Sequence, residues 1–236
     1  MSLFAGRFSS AVADENKQGY AAVIPDIKCI SPKEGDLLQG RDPVDTAKYL
    51  VGCGAPVLSV VTEREHFGGS TKLLCDVIIN TGVPVLRKDF ITNEDMLIQT
   101  AELGAAAVLL ICSITDEKTL TRLYEKSIEL GLEPFMEVCT AKEMELAKKL
   151  GAQLIGINNR DIVTLEMDTG DASRTITLAS DAPANALIVS ESGILSAEDA
   201  KLAVSAGANA VLVGTALWQA RDMGKMYRSL RVERVV

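Results

Sequence analysis

The feature that most restricts what this chain can fold into is a repeated junction. Six times, a stretch with helical spacing ends in glycine and a short apolar run follows within one to three residues. The pairs are Gly54 before Val57–Val61, Gly82 before Val83–Leu86, Gly104 before Ala107–Ile111, Gly131 before Pro134–Met136, Gly151 before Leu154–Ile157, and Gly207 before Ala210–Val213. Glycine just past a helix takes the left-handed conformation that closes it. Its recurrence marks a repeated helix-to-strand unit.

Ala22–Ile27 and Leu187–Val189 add two more apolar runs, so eight short strands are predicted. Successive runs begin about 20–35 residues apart, which leaves room for one helix between each pair. The runs are continuous rather than alternating, as expected of parallel strands buried on both faces. Amphipathic stretches fill the gaps. Asp42–Val51 carries Pro43 near its start, where a missing N–H matters little. Asn93–Leu103 opens with an N-cap signal and early acids. Asp116–Leu130, Ala141–Leu150 and Ala197–Ala206 read as helices on the same grounds. Eight alternating units in a chain of this length fit a (β/α)8 barrel. A doubly wound open sheet is the alternative, but it normally carries a Gly-rich turn after its first strand. Here that position reads Asp26-Ile27-Lys28-Cys29-Ile30-Ser31-Pro32. The expectation is a single α/β domain over residues 1–236, a closed (β/α)8 barrel. Residues 1–21 form a short N-terminal lead in which Ala5–Glu15 supplies at most one helix.

Composition narrows the function. The formal net charge is −8, which argues against a general nucleic-acid binder but leaves an anionic small molecule possible, because local charge can oppose net charge. The longest apolar run, Ala105–Cys112, is far short of the ~18–20 residues a membrane span needs. Met1–Ser10 lacks the basic start and apolar stretch of a secretory signal, so a cytoplasmic protein with reduced thiols is expected. Cys29, Cys53, Cys75, Cys112 and Cys139 form no C-x-x-C pair, and His66 is the lone histidine, so no zinc site is expected. Carboxylate-held magnesium stays open on these grounds.

Active sites of (β/α)8 barrels form at the C-terminal ends of the strands. There this sequence places Asp26 and Lys28, then Thr62 and Glu63, then Arg87, Lys88 and Asp89. Ser113, Glu137, the Asn158-Asn159-Arg160-Asp161 segment, Ser190 to Gly193, and Gly214-Thr215 complete the rim. Polar residues at strand ends are ordinary, since strands must emerge into water. Parity adds information: Ile24, Asp26 and Lys28 share a face, as do Leu86 with Lys88 and Phe135 with Glu137. If the apolar member points into the barrel, the charged one lies at its mouth, where it must be paired or used. Ser192-Gly193 after the seventh run and Gly214-Thr215 before a short helix, Ala216–Ala220, match the usual phosphate site of this fold. Phe67-Gly68-Gly69-Ser70 reads as a mobile loop or a plain turn. Cys29, His66, Trp218 and the other aromatics read as packing or loop residues.

With these segments in order, the chain resembles the indole-3-glycerol phosphate synthase family of tryptophan biosynthesis from about Val23 to Trp218. The matching stretches are Ile27-Lys28 with Ser31-Pro32, Glu63 with His66 to Ser70, and Leu86 to Ile91. They continue with Met136-Glu137-Val138, Gly156 to Asp161, Val189 to Ile194, and Val211 to Leu217. The resemblance implies a carbon-carbon lyase that closes an indole ring on an anthranilate joined to a deoxyribulose phosphate, losing carbon dioxide and then water. It implies Lys88 as general acid on the ketone, Glu137 as base or as stabiliser of the cationic intermediate, and Lys28 as anion-binding residue and second acid. Asn158 and Glu191 would orient the substrate, Ser192, Gly193, Gly214 and Thr215 would hold the phosphate, and Ser31 would lie beside the anthranilate end. The implied partner is a small molecule bearing phosphate and carboxylate; no cofactor or metal is implied, no nucleic acid or membrane is expected, and docking to other enzymes of the pathway is left open.

The chain departs from the family pattern in three places. Asp26-Ile27-Lys28 stands where the family usually has Glu-Ile-Lys. The shorter carboxylate reaches about 1.5 Å less, and a displacement of that order can cost about a hundredfold in rate. Only a short lead precedes the first run, where family members usually carry a further helix that helps cover the site. Cys139-Thr140 replaces a more polar pair. These departures keep two alternatives in view: a related phosphate-binding barrel with altered substrate or reaction, and a non-catalytic binder of a phosphate ligand.

Overall fold

The computed structural model describes residues 6–160, 162 and 171–234. Eight parallel strands close into a barrel: β1 (Ala22–Ile27), β4 (Leu58–Val61), β5 (Val85–Lys88), β6 (Ala107–Ile111), β7 (Glu133–Val138), β8 (Leu154–Asn158), β9 (Leu187–Glu191) and β10 (Ala210–Val213). β1 pairs with both β10 and β4, which completes the ring. Between β1 and β4 a small antiparallel hairpin, β2 (Ile30–Ser31) and β3 (Gly35–Asp36), stands outside the barrel, an element without a sequence-level signal.

The expected barrel is therefore the observed one, with strand ends shifted by a few residues. The helices that alternate with the strands include α2 (Pro43–Gly52), α3 (Thr71–Thr81), α4 (Glu94–Glu102), α5 (Glu117–Glu129), α6 (Ala141–Leu150) and α8 (Ala197–Ser205), preceded by α1 (Arg7–Lys17). α7 (Ser173–Leu178), α9 (Thr215–Gln219) and α10 (Met223–Leu230) are the other α-helices among the described residues. Their starts follow from capping chemistry. Asp42, Ser70, Asn93, Asp116, Thr140 and Ser196 each accept a hydrogen bond from a backbone N–H of the first turn. All six junction glycines have positive φ.

Residues on alternate strand faces divide between two cores. Ala22, Ile24, Leu86, Leu109, Phe135, Leu154, Val189 and Leu212 fill the barrel interior. Val23, Ile27, Val60, Val108, Met136 and Ile155 point outward into the helical layer. The interior cluster also takes in Phe8 and Val12 of α1, which join Ala22, Leu154, Leu187 and Ala210 at the N-terminal end of the strands. The N-terminal helix thus closes the barrel end opposite the C-termini of the strands. The Glu133 carboxylate holds it there, accepting from Phe8 N at 2.6 Å and Ser9 N at 3.0 Å.

One interior position requires glycine. A Cβ on Gly156 would lie 2.1 Å from the Phe135 ring and 2.4 Å from Glu191 Oε1. That space lets an aromatic ring and a carboxylate pack side by side under the rim.

Candidate active site

Above the apolar interior the same strand faces carry charge. Lys88, at the end of β5, reaches across the barrel and donates to Glu191 Oε2 of β9 at 2.5 Å, and its Nζ lies 3.9 Å from Glu137 Oε2 of β7. Both carboxylates are fully buried. Burying such a pair costs hydration that mutual attraction offsets only with close geometry, so removing either partner would leave an uncompensated buried charge. Asp26 of β1 lies on the same floor, where Ser59 Oγ donates to its Oδ1 at 2.7 Å. Trp218 fixes the backbone at this point by donating from Nε1 to Asp26 O at 2.9 Å.

Two lobes open from this floor. One is mainly apolar, lined by Val61, Phe67, Phe90, Leu109, Ile111 and Ile162 with Glu63, Asp89 and Glu137. The other is lined by Arg160, Ser192, Gly193, Gly214, Thr215 and neighbouring apolar residues. Asp26, Lys28 and Lys88 border both. Gly214 permits the close approach of β1, since a Cβ there would sit 3.3 Å from Asp26 Cβ. The second lobe therefore gathers Lys28, Lys88 and Arg160 in a protein of net charge −8.

The loops are held as firmly as the floor. Glu63 accepts from the backbone N–H groups of Glu65, His66 and Phe67 at 2.8–3.0 Å. Burial alone would raise its pKa, but these donors outweigh it and hold the carboxyl below its ordinary value. The segment from Glu63 to Ser70 is thus a hydrogen-bonded turn. It places Phe67 with its ring centroid 5.5 Å from Lys28 Nζ. Ile30 N of the hairpin donates to Phe67 O at 3.0 Å. On β5, alternation sends Arg87 outward while Lys88 turns inward. Arg87 donates to Thr62 Oγ1, Gln99 Oε1, Thr100 Oγ1 and Asp89 Oδ2, binding the rim of β5 to α4 and leaving Lys88 flanked by anchored neighbours.

Most residues predicted for the site meet here. Asp26, Lys28, Lys88, Glu137, Ser192, Gly193, Gly214 and Thr215 all line one lobe or both. Glu191 lies below, against Lys88. Asn158 is fully buried, and its Oδ1 accepts from Arg160 N at 3.0 Å. Ser31 lines neither lobe; it is buried in the hairpin, where its Oγ accepts from Glu34 N at 3.3 Å. Asp161 lies outside the described residues. Sequence reasoning did not assign Phe67, Phe90, Arg160 or Ser59. Arg160 carried a usable signal, two residues beyond Asn158 on the same strand end; Ser59, inside an apolar run, carried none. Cys29 and Cys139 are not poised as thiolates. Burial raises Cys29, and burial with Glu137 and Glu143 pushes Cys139 up to about 12.

The profile of the indole-3-glycerol phosphate synthase family matches residues 5–230. The chain is 45% identical over 206 residues to the indole-3-glycerol phosphate synthase of Pyrococcus furiosus, covering 87% of this chain and 90% of that one. It is 42% identical over 212 residues to the enzyme of the same name from Listeria monocytogenes, covering 90% of this chain and 82% of the other. The Thermococcus kodakarensis enzyme of that name is 41% identical over 209 residues, 89% of this chain and 91% of its own length.

Proposed function

The chain belongs to the indole-3-glycerol phosphate synthase family, and from that premise we propose how its cleft works. It is a carboxy-lyase of tryptophan biosynthesis, converting 1-(2-carboxyphenylamino)-1-deoxyribulose 5-phosphate to indole-3-glycerol phosphate with loss of carbon dioxide and water. The observation that carries the mechanism is Lys88 held between Glu191 and Glu137 where an apolar lobe meets a glycine-lined one.

In this reading the carboxyphenyl ring fills the apolar lobe between Phe67, Phe90 and Ile111. The phosphate sits against Ser192, Gly193, Gly214 and Thr215, with Arg160 alongside. The deoxyribulose chain spans the shared border at Asp26, Lys28 and Lys88. The ring carbon bearing the carboxylate attacks the ketone carbon, and Lys88 gives a proton to the ketone oxygen as it becomes a hydroxyl. Carbon dioxide leaves, and its bonding pair returns to the ring and restores aromaticity. The new hydroxyl departs as water after Lys28 protonates it, while Glu137 takes the proton from the adjacent carbon. One net proton from solvent balances the carboxylate lost as carbon dioxide. Glu191 orients Lys88, Asn158 holds the Arg160 backbone, and Ser31 supports the hairpin beside the ring end. No described helix is long and apolar enough to cross a membrane. A cytoplasmic location is part of this reading, supported by the biosynthetic role of the family.

The test is to incubate the protein with the carboxyphenylamino-deoxyribulose phosphate and follow indole fluorescence. Turnover is expected in the unmodified chain. Lys88→Met is expected to lose about 10²–10⁴-fold in kcat while still binding inorganic phosphate. Full activity in that variant would overturn the assignment of the acid.

A further inference from the structure

The asparagines at the end of β8 point in opposite directions. Asn158 faces the barrel interior; Asn159 faces the helical layer and is 3% exposed. Asn159 Nδ2 lies 3.0 Å from each of Ser190 Oγ, Glu191 O and Ser192 O. Its Oδ1 accepts from Thr175 N and Thr175 Oγ1, both at 3.0 Å. Its own backbone N–H donates to Glu191 O at 2.9 Å. One side chain thus joins β8, the end of β9 and α7.

What it grips is unusual backbone. Ser192 has φ +61 and is followed by Gly193 at φ +70. Only Gln39 shares a positive φ among the described non-glycine residues. A residue with a side chain is strained in this region, so something nearby must hold it. Ser192 and Gly193 line the glycine-rich lobe.

We propose that Asn159 is a positioning residue for phosphate recognition: its carboxamide holds Ser192 in the left-handed conformation that turns the loop after β9 toward the phosphate. This inference rests on the phosphate assignment made above. Asn159 touches no substrate and acts through the loop.

The experiment is calorimetric titration with inorganic phosphate, paired with steady-state kinetics. Asn159→Ala is expected to weaken phosphate binding and raise KM on the order of tenfold, with kcat changed less than about threefold. A merely structural role would lower thermal stability and leave the phosphate Kd unchanged, which would overturn the proposal. Position 192 supplies an arm independent of any folding defect at 159. With Asn159 intact, Ser192→Ala and Ser192→Gly are expected to bind phosphate within about twofold of each other, because the clamp imposes the conformation on either residue. With Asn159→Ala added, the alanine chain is expected to bind about tenfold more weakly than the glycine chain, since glycine alone adopts this φ without strain. If Ser192→Ala is already much the weaker binder in the chain that keeps Asn159, the clamp is not what holds the loop. If the unmodified enzyme turns over substrate but shows no phosphate binding, the phosphate assignment itself falls, and this inference with it.

Discussion

Asp26 illustrates how one side chain is set by its neighbours at the residue scale. Its carboxylate is one methylene shorter than the family's usual glutamate, yet it is not stranded: Ser59 donates to Oδ1, and the Gly214 backbone closes against its Cβ. These contacts are built around the shorter residue. Asp26→Glu lengthens the side chain and is expected to move its carboxylate away from Ser59, into the cleft that Lys28 and Lys88 also line. We expect kcat to fall about tenfold with KM little changed, measured by indole fluorescence. A rise in kcat would mean instead that the reach of the carboxylate limits the native rate. Parity along β1, β5 and β7 made Asp26, Lys88 and Glu137 legible as rim residues. Their pairing was not legible, because Lys88 and Glu191 lie 103 positions apart and meet only through closure of the barrel.

Loops and strand ends act as units at the scale of the element. The Glu63–Ser70 turn depends on one ionised carboxylate collecting three backbone donors. The folded pKa of Glu63 is depressed, so its contribution to stability is fully present above the ordinary value of 4.5 and is lost as pH falls through the folded value. Glu63→Gln is therefore expected to lower the melting temperature near neutral pH, with the difference from the native chain shrinking toward zero as pH drops through the acid range. Thermal unfolding followed from neutral to acid pH checks this. A difference independent of pH would show that the charge is not what holds the turn. In the sequence its last part, Phe67 to Ser70, reads equally as a mobile loop or a plain turn, since Gly68-Gly69 suits both. Its anchors, Glu63 within the segment and Ile30 from the hairpin, are tertiary facts.

Across the whole molecule, the N-terminal helix and the proposed site occupy opposite ends of one barrel. α1 seals the N-terminal end with Phe8 and Val12, both fully buried, while the lobes open at the C-terminal end. Phe8→Ala leaves a cavity under the barrel and is expected to cost about 3–5 kcal/mol. At about 2–4 °C per kcal/mol for a domain of this size, the melting temperature should fall by roughly 6–20 °C. KM for the substrate should stay within about twofold below that temperature. A large KM change with an intact melting temperature would show that the helix communicates with the rim. The sequence pointed to a short N-terminal helix without showing where it packs; its position at the far end follows from Glu133, at the start of β7, which captures its first N–H groups.

The sequence by itself determined the order of strands and helices, the glycine-terminated junctions, and the face each strand residue presents. Those properties are local: a strand alternates faces every residue, and a helix ends where glycine releases it. Tertiary structure alone decided which rim residues meet, that Ser59 supports Asp26, that Asn158 and Asn159 serve different layers, and that a hairpin backs the Phe67 turn. Those depend on how far each strand is staggered against its neighbour when the sheet closes. The closed sheet brings Phe135 against Gly156 and Arg87 against α4, contacts between segments too far apart for a short window of the chain to contain.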